Sequence, residues 1–356
     1  METNTQGRIK SRGYAAREAH GNLSPFNFER RALGPKDVLI ELEYCGVCHS
    51  DIHKVNGDWG ECPYPIVPGH EMVGKVAAVG GGVSKFAIGD AVGVGCMVDS
   101  CRNCEACKAG EEQSCEHEPV WTYGSPDDKI GGITQGGYSE RIVVDQDFVL
   151  RIPKGFDLAK AAPLLCAGIT TYSPLRHWKA GKGTVVGVVG LGGLGHMAVK
   201  LAKAMGSHVV VFTTSEDKFK DAKSLGADEV VLSTNKSEMQ RRTRSIDLII
   251  DTVSVQHDVE LLLALLKREG HLVLVGLPSK PISVGAFSLV AGRKSFSGSG
   301  IGGIRETQEM LDFCAEHNVT PNIEMISIQE INEAYKRVVR AEVKYRFVID
   351  LASLKS

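Results

Sequence analysis

The sequence lacks a long apolar segment and a strong excess of charge of either sign. No apolar run reaches the ~18–20 residues needed to cross a bilayer, and residues 1–20 are polar, without the apolar segment of a signal peptide. The chain has 41 Lys and Arg residues against 43 Asp and Glu residues, a net charge of −2. These absences argue against a membrane protein, a secreted protein and a nucleic-acid-binding protein with a broad basic face. We therefore expect a cytoplasmic protein that binds neither membrane nor nucleic acid.

Length and patterning predict two domains of different type. A chain of 356 residues suggests two domains at roughly 100–200 residues each, and a hydrophobic content of 43% excludes global disorder. Residues 35–150 contain short β-branched runs such as Val38–Leu42 and Val73–Val79 between turns, which predicts a β-rich first domain. From Val185–Val189 onward, strands alternate with helical stretches, which predicts βαβ units and a parallel sheet. Further strands are expected at 209–212, 229–232, 248–251, 272–275 and 346–351, and helices at about 195–205, 218–225 and 259–267.

Four of the ten cysteines have a spacing typical of a metal site. Cys101, Cys104, Cys107 and Cys115 follow the pattern Cys-x2-Cys-x2-Cys-x7-Cys. Four thiolates that converge with no open position predict a structural zinc site. Two disulfides and an iron–sulfur cluster are the alternatives, although in bacterial ferredoxins the fourth cysteine follows after three residues and precedes proline. A nucleic-acid-binding zinc ribbon is disfavoured, because the flanking residues are acidic.

A glycine-rich segment follows the first predicted strand of the parallel sheet. Gly190, Gly192, Gly193 and Gly195 surround Leu191 and Leu194 in a Gly-x-Gly-x-x-Gly pattern that opens a helix. Such glycines permit a tight turn, close approach of a pyrophosphate and close contact between helix and strand. In this strand–loop–helix setting the motif predicts a dinucleotide site rather than an ordinary turn.

The end of the next strand favours NADP(H) over NAD(H). An NAD site usually has a carboxylate there that binds the ribose 2′-hydroxyl, whereas this strand ends in Thr213, Thr214 and Ser215, with Lys218 close by. These hydroxyls and the ammonium group suit a 2′-phosphate. Glu216 and Asp217 weaken this interpretation, and Lys218 has the alternative of being a solvated helix residue.

Cys48, His70 and Cys166 suggest a second metal centre. Two thiolates and one imidazole form a catalytic zinc set that leaves a fourth position open, and such a zinc polarises a carbonyl as a Lewis acid. The three residues lie far apart in the chain, so spacing alone leaves open that the cysteines are small buried residues and that the histidine is structural.

Together these motifs identify a family. Gly69-His70-Glu71, the four-cysteine lobe and the glycine loop resemble zinc-dependent medium-chain alcohol dehydrogenases. The segments at 44–51, 163–172 and 344–350 resemble the cinnamyl-alcohol-dehydrogenase branch, and most closely its bacterial NADPH-dependent zinc-type aldehyde reductases. The similarity extends from about Pro35 to Asp350. It implies a GroES-like, β-rich barrel catalytic domain and a Rossmann domain with a doubly wound parallel sheet.

The resemblance also implies the domain boundaries and the assembly. The catalytic domain is expected at 1–165, with the structural zinc lobe at about 96–120, the Rossmann domain at 166–303, and a return to the catalytic domain at 304–356. The cleft between the domains should hold substrate, and a homodimer should form by edge pairing of Rossmann sheets near Lys294–Gly300. Residues 1–33 carry no motif.

Roles at the catalytic site follow from the same resemblance. Cys48, His70 and Cys166 match zinc ligands, and Glu71 matches a carboxylate that enters the coordination during turnover. Ser50 matches the hydroxyl that passes on the substrate proton, and His53 the end of that relay. Asp51 matches the carboxylate that orients the zinc-bound imidazole.

The resemblance further implies the cofactor and substrate contacts. Thr213, Thr214, Ser215 and Lys218 match a 2′-phosphate pocket. The other expected cofactor contacts are His49 and Arg346 near the pyrophosphate, Thr170 beside the nicotinamide, and Thr252, Val275 and Gly276. The expected substrate pocket consists of Trp59, Cys96, Trp121 and Ile301, with ordinary core packing as the alternative for the two tryptophans.

The resulting hypothesis is reversible reduction of aldehydes to primary alcohols by hydride transfer from NADPH, with one catalytic and one structural zinc per chain. The alternatives are an NAD-dependent alcohol or polyol dehydrogenase and, more distantly, a non-catalytic sensor of zinc and nucleotide. The sequence leaves the natural substrate open.

Overall fold

The computed structural model describes residues 7–278 and 280–355, so that residues 1–6 of the motif-free N-terminal segment lie outside the described part. The chain divides into two compact units, with changes at 166/167 and 301/302, and residues 316–319 belong to the second unit. The sequence placed these changes at 165/166 and 303/304 and did not anticipate the short 316–319 segment.

The first stretch of the chain consists of short strands and few helices. Its strands are β1 (Ile9–Ala15), β2 (Ser24–Arg30), β3 (Asp37–Gly46), β4 (Met72–Val79), β5 (Ala91–Val94), β6 (Met97–Asp99), β7 (Val120–Trp121), β8 (Pro126–Asp127), β9 (Gly132–Ile133), β10 (Arg141–Asp145) and β11 (Leu150–Arg151). Its helices are α1 (His49–Asn56), α2 (Glu105–Ala109) and α3 (Leu158–Ala161).

The second unit alternates helices and strands. Its helices are α4 (Ala167–His177), α5 (Gly195–Ala204), α6 (Phe219–Ser224), α7 (Lys236–Arg241), α8 (Val259–Leu265) and α9 (Ala286–Val290). Its strands are β12 (Val185–Val189), β13 (His208–Thr213), β14 (Glu229–Leu232), β15 (Ile246–Asp251), β16 (Leu266–Leu274) and β17 (Ser295–Gly298). The chain then continues through α10 (Ile304–Glu316), β18 (Ile323–Ser327), α11 (Ile331–Val339) and β19 (Arg346–Asp350).

The main sheet of the first unit brings distant segments together. Its strand order is β11-β5-β4-β3-β19-β18, and β10 pairs with β3. β3 is antiparallel to β4 and β19. The ends of β3 and β19 and the start of β4 therefore lie side by side, which positions the residues that follow β3 and precede β4.

The sheet of the second unit has the order β14-β13-β12-β15-β16-β17, and every pairing in it is parallel. β12 consists only of Val and Gly and is buried along most of its length, as expected for a strand covered on both faces. The strand order reverses beside β12, and ligands of such sheets bind at this point, outside the carboxyl ends of the strands. The predicted alternation of strands and helices is confirmed.

Residues 7–33 form an element that the sequence did not reveal. β1 and β2 pair antiparallel, and alternate residues of β1 are buried. The guanidinium of Arg30 is buried and donates hydrogen bonds to the carbonyl oxygens of Arg141 and Gly136, at 2.9 Å and 2.7 Å. The hairpin is thereby tied to the start of β10 and to the segment before it.

Nowhere in the described residues does a helix combine the length and the apolarity that crossing a membrane requires.

Candidate metal centres and cofactor site

The four cysteines of the predicted lobe converge. Their sulfur atoms all lie within 4.8 Å of one another, and Sγ of Cys101 is 3.8 Å from Sγ of Cys107. Two thiolates bound tetrahedrally at ~2.3 Å from one zinc ion are ~3.8 Å apart, whereas disulfide sulfurs are ~2.05 Å apart. The geometry therefore fits a single zinc ion and excludes disulfides. It also disfavours an iron–sulfur cluster, whose several iron atoms stand between the cysteines.

The lobe is closed at its base by a short strand pair. β6 precedes the cysteines and β7 follows them, with Met97 paired to Trp121. Immediately beyond this pair, the amide of Thr122 donates to the carbonyl oxygen of Cys96 at 3.0 Å. The pairing therefore ties Cys96 to the segment that leads to Tyr123.

The residues of the predicted catalytic centre also converge. One ligand atom from each of Cys48, His70, Glu71 and Cys166 lies within 4.8 Å of the others, and all four residues are buried. The Sγ atoms of Cys48 and Cys166 are 3.9 Å apart, again the separation expected for two thiolates on one zinc ion. The four residues are buried together and offer sulfur, nitrogen and oxygen ligands at one point. This arrangement fits a bound metal ion better than the alternative that each residue has a separate structural role.

The main sheet explains why these distant residues meet. Cys48 lies between β3 and α1, and His70 and Glu71 directly precede β4. The amide of Gly46 donates to the carbonyl oxygen of Glu71 at 2.9 Å, which continues the pairing of β3 with β4. Cys166 follows the 3-10 turn at 162–165.

Asp51 holds the imidazole of His70. Its Oδ1 accepts a hydrogen bond from Nδ1 of His70 at 2.9 Å, and its Oδ2 accepts one from the amide of Cys48 at 2.9 Å. Burial opposes a charged imidazole, but the Asp51 carboxylate raises the pKa of His70 well above its ordinary value. Because Nδ1 carries the proton that Asp51 accepts, Nε2 is the nitrogen that would bind a metal ion, in exchange for any proton it carries.

Two tyrosines that sequence reasoning missed complete the surroundings of Asp51. The hydroxyl of Tyr123 donates to Oδ1 at 2.7 Å, and that of Tyr138 donates to Oδ2 at 3.2 Å. Burial and the neighbouring Asp51 carboxylate raise the pKa of both phenols well above the ordinary value. Both therefore remain hydrogen-bond donors.

Glu71 forms a buried ion pair with Arg346. Nη2 of Arg346 contacts Oε1 of Glu71, and Oε2 of Glu71 is buried without a hydrogen-bond partner. Burial raises the pKa of Glu71 to about 7, although Arg346 opposes this shift. A metal ion is a suitable partner for the remaining oxygen, since an unpaired buried carboxylate oxygen is costly.

The predicted relay residues lie on α1. Ser50 and His53 are three residues apart and therefore share one side of the helix. The ring of His53 stacks on His49 with centroids 4.6 Å apart, and its Nδ1 is 2.8 Å from Oδ2 of Asp58. Asp58 is a further functional candidate that sequence reasoning missed. The pKa of His49 is lowered, mainly because its ring is buried and also because His53 lies close to it.

The glycine loop has the geometry that a pyrophosphate requires. Gly190 has a φ of 87°, a left-handed conformation that favours glycine, and a Cβ on Gly195 would lie 2.2 Å from the carbonyl oxygen of Gly190. A Cβ on Gly192 would meet no atom within 4 Å, so the backbone there is open to a ligand. The residues around this loop therefore fit a dinucleotide.

Three of the other cofactor candidates directly follow the carboxyl ends of β15 and β16. Oγ1 of Thr252 donates to the carbonyl oxygen of Val189 at 2.8 Å, and the amides of Val275 and Gly276 donate to the carbonyl oxygen of Asp251 at 2.9 Å and 3.0 Å. Thr170 is buried on α4. Contact of these residues with a cofactor remains a prediction.

The end of β13 carries the predicted 2′-phosphate pocket. Thr213 is buried, Ser215 is half-buried and Thr214 is exposed. Nζ of Lys218 donates to the carbonyl oxygen of Leu191 in the glycine loop at 3.3 Å. Lys218 is therefore half-buried and bonded to the loop, and its side chain does not extend freely into solvent. Glu216 and Asp217 are exposed on a 3-10 turn.

The predicted substrate residues differ in their surroundings. Trp59 is 49% and Trp121 41% exposed, so ordinary core packing is wrong for both. The Trp59 ring lies 5.2 Å from the ring of His53. Sγ of Cys96 is 3.9 Å from the carbonyl oxygen of Leu165, next to the ligand Cys166. Ile301 ends the second unit with a φ of 42°, and its place in a substrate pocket remains a prediction.

Comparison with known families matches both units. Residues 34–154 match the alcohol dehydrogenase GroES-like domain, and residues 193–316 match the zinc-binding dehydrogenase domain. The expected β-rich and Rossmann-type architecture is therefore confirmed.

Individual relatives are similar over nearly the whole chain. The aldehyde reductase YahK of Escherichia coli is 56% identical over 348 residues, which are 97% of this chain and 99% of the relative. A cinnamyl alcohol dehydrogenase (CAD) from Sorghum bicolor is 47% identical with a TM-score of 0.94, over 96% of this chain and 98% of that one. CAD from Helicobacter pylori, solved with NADP(H), is 45% identical with a TM-score of 0.91, over 97% of this chain and 99% of that one. The chain belongs to the zinc-dependent medium-chain alcohol dehydrogenases, in their cinnamyl-alcohol-dehydrogenase branch.

Proposed function

We propose that this protein reversibly reduces aldehydes to primary alcohols with NADPH at a zinc centre. The observation that carries the proposal is the convergence of four buried ligand atoms from Cys48, His70, Glu71 and Cys166. The relatives named above, an aldehyde reductase and a CAD solved with NADP(H), support the same chemistry.

Each group at this centre has a task in the proposed reaction. Cys48, His70 and Cys166 would hold zinc, with Glu71 as a further carboxylate ligand during turnover. When bound, zinc acts as a Lewis acid toward the carbonyl oxygen and NADPH supplies the hydride. Asp51 keeps the His70 ring in one orientation, and Arg346 compensates the charge of Glu71 in the interior.

The proton is delivered by residues of α1. We expect Ser50 to donate a proton to the substrate oxygen as the carbonyl carbon is reduced. His53 replaces this proton, and Asp58 fixes the ring of His53 by accepting from Nδ1, which leaves Nε2 to exchange protons. Burial of the metal ligands keeps water away from the charge that develops on the substrate oxygen.

The principal alternative is an NAD-dependent alcohol or polyol dehydrogenase. The uncharged side chains of Thr213, Thr214 and Ser215 and the ammonium of Lys218 at the end of β13 favour NADPH instead. Initial rates with NADPH and with NADH, measured on aliphatic, aromatic and cinnamyl aldehydes, test this choice. NADPH should give a kcat/KM at least tenfold higher, and a preference for NADH would overturn the cofactor assignment.

Zinc analysis separates the enzyme from a non-catalytic sensor. Two ligand groups predict two zinc ions per chain. A single firmly bound zinc ion, together with no turnover of any aldehyde in the panel, would contradict the proposal.

We further propose that the protein works as a homodimer in the cytoplasm. β17 is an edge strand of the parallel sheet, and Phe287 and Val290 on the nearby α9 are 81% and 74% exposed. Large exposed apolar side chains and an open strand edge both suit association with a second copy. None of the ten cysteines forms a disulfide, as is usual in a reducing compartment.

A further inference from the structure

Asp51 receives more hydrogen bonds than its partnership with His70 requires. Besides Nδ1 of His70, the amide of Gly69 donates to Oδ1 at 3.1 Å, and the amide of Cys48 donates to Oδ2 at 2.9 Å. The Asp51 side chain has no exposure to solvent. Its orientation is therefore set entirely by protein donors.

The two phenols add a donor to each oxygen of this carboxylate. Tyr123 binds Oδ1 at 2.7 Å, the same oxygen that accepts from His70, and Tyr138 binds Oδ2 at 3.2 Å. Tyr138 is fully buried and Tyr123 is 9% exposed. Water therefore does not compete for these bonds.

The tyrosines are held by backbone from different parts of the first unit. The amide of Tyr138 donates to the carbonyl oxygen of Pro68 at 2.9 Å, one residue before Gly69. Tyr123 follows β7, at the base of the four-cysteine lobe. Neither tyrosine lies on α1, which carries Asp51 itself.

We propose that Tyr123 and Tyr138 are positioning residues for the catalytic zinc, which act by clamping both oxygens of Asp51 behind His70. This inference rests on the proposed zinc centre and adds two residues to its support. Without the phenols the carboxylate keeps one amide donor on each oxygen, Gly69 on Oδ1 and Cys48 on Oδ2, but it loses two of the four donors that hold it in place besides His70. His70 then loses part of the constraint that directs Nε2 toward the metal.

Substitution by phenylalanine separates this role from packing, because the ring remains. In Tyr123→Phe/Tyr138→Phe we expect one of the two zinc ions to transfer to a chromophoric chelator about 10- to 100-fold faster than in the wild type, the range typical for lost partners of metal ligands. The zinc release rate of each single variant should lie between those of the wild type and the double variant. Tyr64→Phe is the matched control, because it removes a phenol bond of 2.6 Å that goes to the carbonyl oxygen of Val55 and not to Asp51, and its zinc release should be unchanged.

A double-mutant cycle tests the route through Asp51. In an Asp51→Asn background, removal of the two phenols should accelerate zinc release far less than in the wild type, because coupled residues are non-additive. The visible spectrum of the cobalt-substituted protein should also change in the tyrosine double variant and not in Tyr64→Phe.

The outcomes distinguish this inference from the proposed function. Wild-type protein with only the four-cysteine zinc and no turnover of any aldehyde would overturn the proposed function. Wild-type protein with two zinc ions, whose release and cobalt spectrum are unaffected by loss of the phenols, would overturn the positioning role alone. If the effects of Asp51→Asn and of the two tyrosine substitutions on the rate of zinc release were fully additive, the tyrosines would not act through Asp51. If the double variant fails to fold, the single variants decide by the same measurements.

Discussion

Nδ1 of His53 lies 2.8 Å from Oδ2 of Asp58, and the two residues are joined by the end of α1 and the turn that follows. The turn is formed by Gly57, which has a φ of 76° and ends the helix. The carboxylate therefore faces the ring of the helix residue that we expect to end the proton relay.

Asp58→Asn should reduce kcat about tenfold or more and should change the KM for NADPH little. The amide can turn either an acceptor or a donor toward Nδ1, so the histidine tautomer is no longer fixed, and general acid–base steps are worth roughly 10²–10⁴-fold in rate. His53→Gln should show a similar loss, partly rescued by added imidazole. Unchanged rates over the full pH range for both variants would remove these residues from the relay.

Because Arg346 and Glu71 form a buried ion pair, removal of Arg346 should lower the stability strongly, and a second substitution at Glu71 should compensate part of the loss. Arg346→Gln leaves the Glu71 carboxylate in the interior without its cation, and breaking a buried pair in this way costs ~3–5 kcal/mol. Glu71→Gln in the same chain should restore part of the free energy of unfolding, measured by urea denaturation with zinc content recorded in parallel. If the double variant lost as much free energy of unfolding as the two single variants together, Arg346 and Glu71 would not be coupled.

Motifs whose residues are close in sequence could be predicted. Cys101 to Cys115 span one loop and Gly190 to Gly195 one turn, so spacing alone indicated their geometry. Val185–Val189 is both the predicted and the observed strand, because a wholly apolar run between turns has few other solutions. The catalytic centre was predictable only through resemblance, since pairing of β3 with β4 brings its ligands together.

Residues that act through long-range contacts gave no local signal. Tyr123 and Tyr138 reach Asp51 from 72 and 87 residues away, and a single tyrosine in a sequence is more often a core residue. The hairpin β1–β2 was missed for the same reason, because Arg30 fixes it to carbonyl groups more than 100 residues away. The bond between Asp58 and His53 is local, and the acidic residue five positions after the histidine could have suggested it.

Removal of a lobe thiol should release one zinc ion and loosen the lobe. Cys107→Ser replaces one of four converging sulfur ligands, and structural zinc sites contribute directly to folding. We expect loss of one zinc equivalent and protease cleavage between residues 101 and 115, where the wild type resists. Cys62→Ser is the control, because Cys62 belongs to neither ligand group; equal protease sensitivity of both variants would argue against the structural zinc.

Charge reversal at Lys218 should alter cofactor preference. Lys218→Asp combined with Ser215→Asp places two carboxylates at the end of β13, where they repel a 2′-phosphate and suit a 2′-hydroxyl. The kcat/KM for NADPH should fall at least tenfold, while that for NADH stays within about threefold. Lys220→Asp is the control for charge, since Lys220 is exposed two residues further on α6. If the ratio of kcat/KM for NADPH to kcat/KM for NADH were unchanged in the double variant, the 2′-phosphate would bind elsewhere.

The exposed apolar face of α9 predicts how the proposed dimer can be dissociated. Phe287 and Val290 are each more than 70% exposed, on the helix that precedes the edge strand β17 in the chain. Two carboxylates buried there by association would be strongly unfavourable, so Phe287→Asp/Val290→Asp should shift the mass measured by light scattering from dimer to monomer. Val339→Asp, an exposed apolar position on α11 in the first unit, should leave the mass unchanged. A wild-type monomer at assay concentration, or a double variant that remains dimeric, would mean that this face does not form the contact.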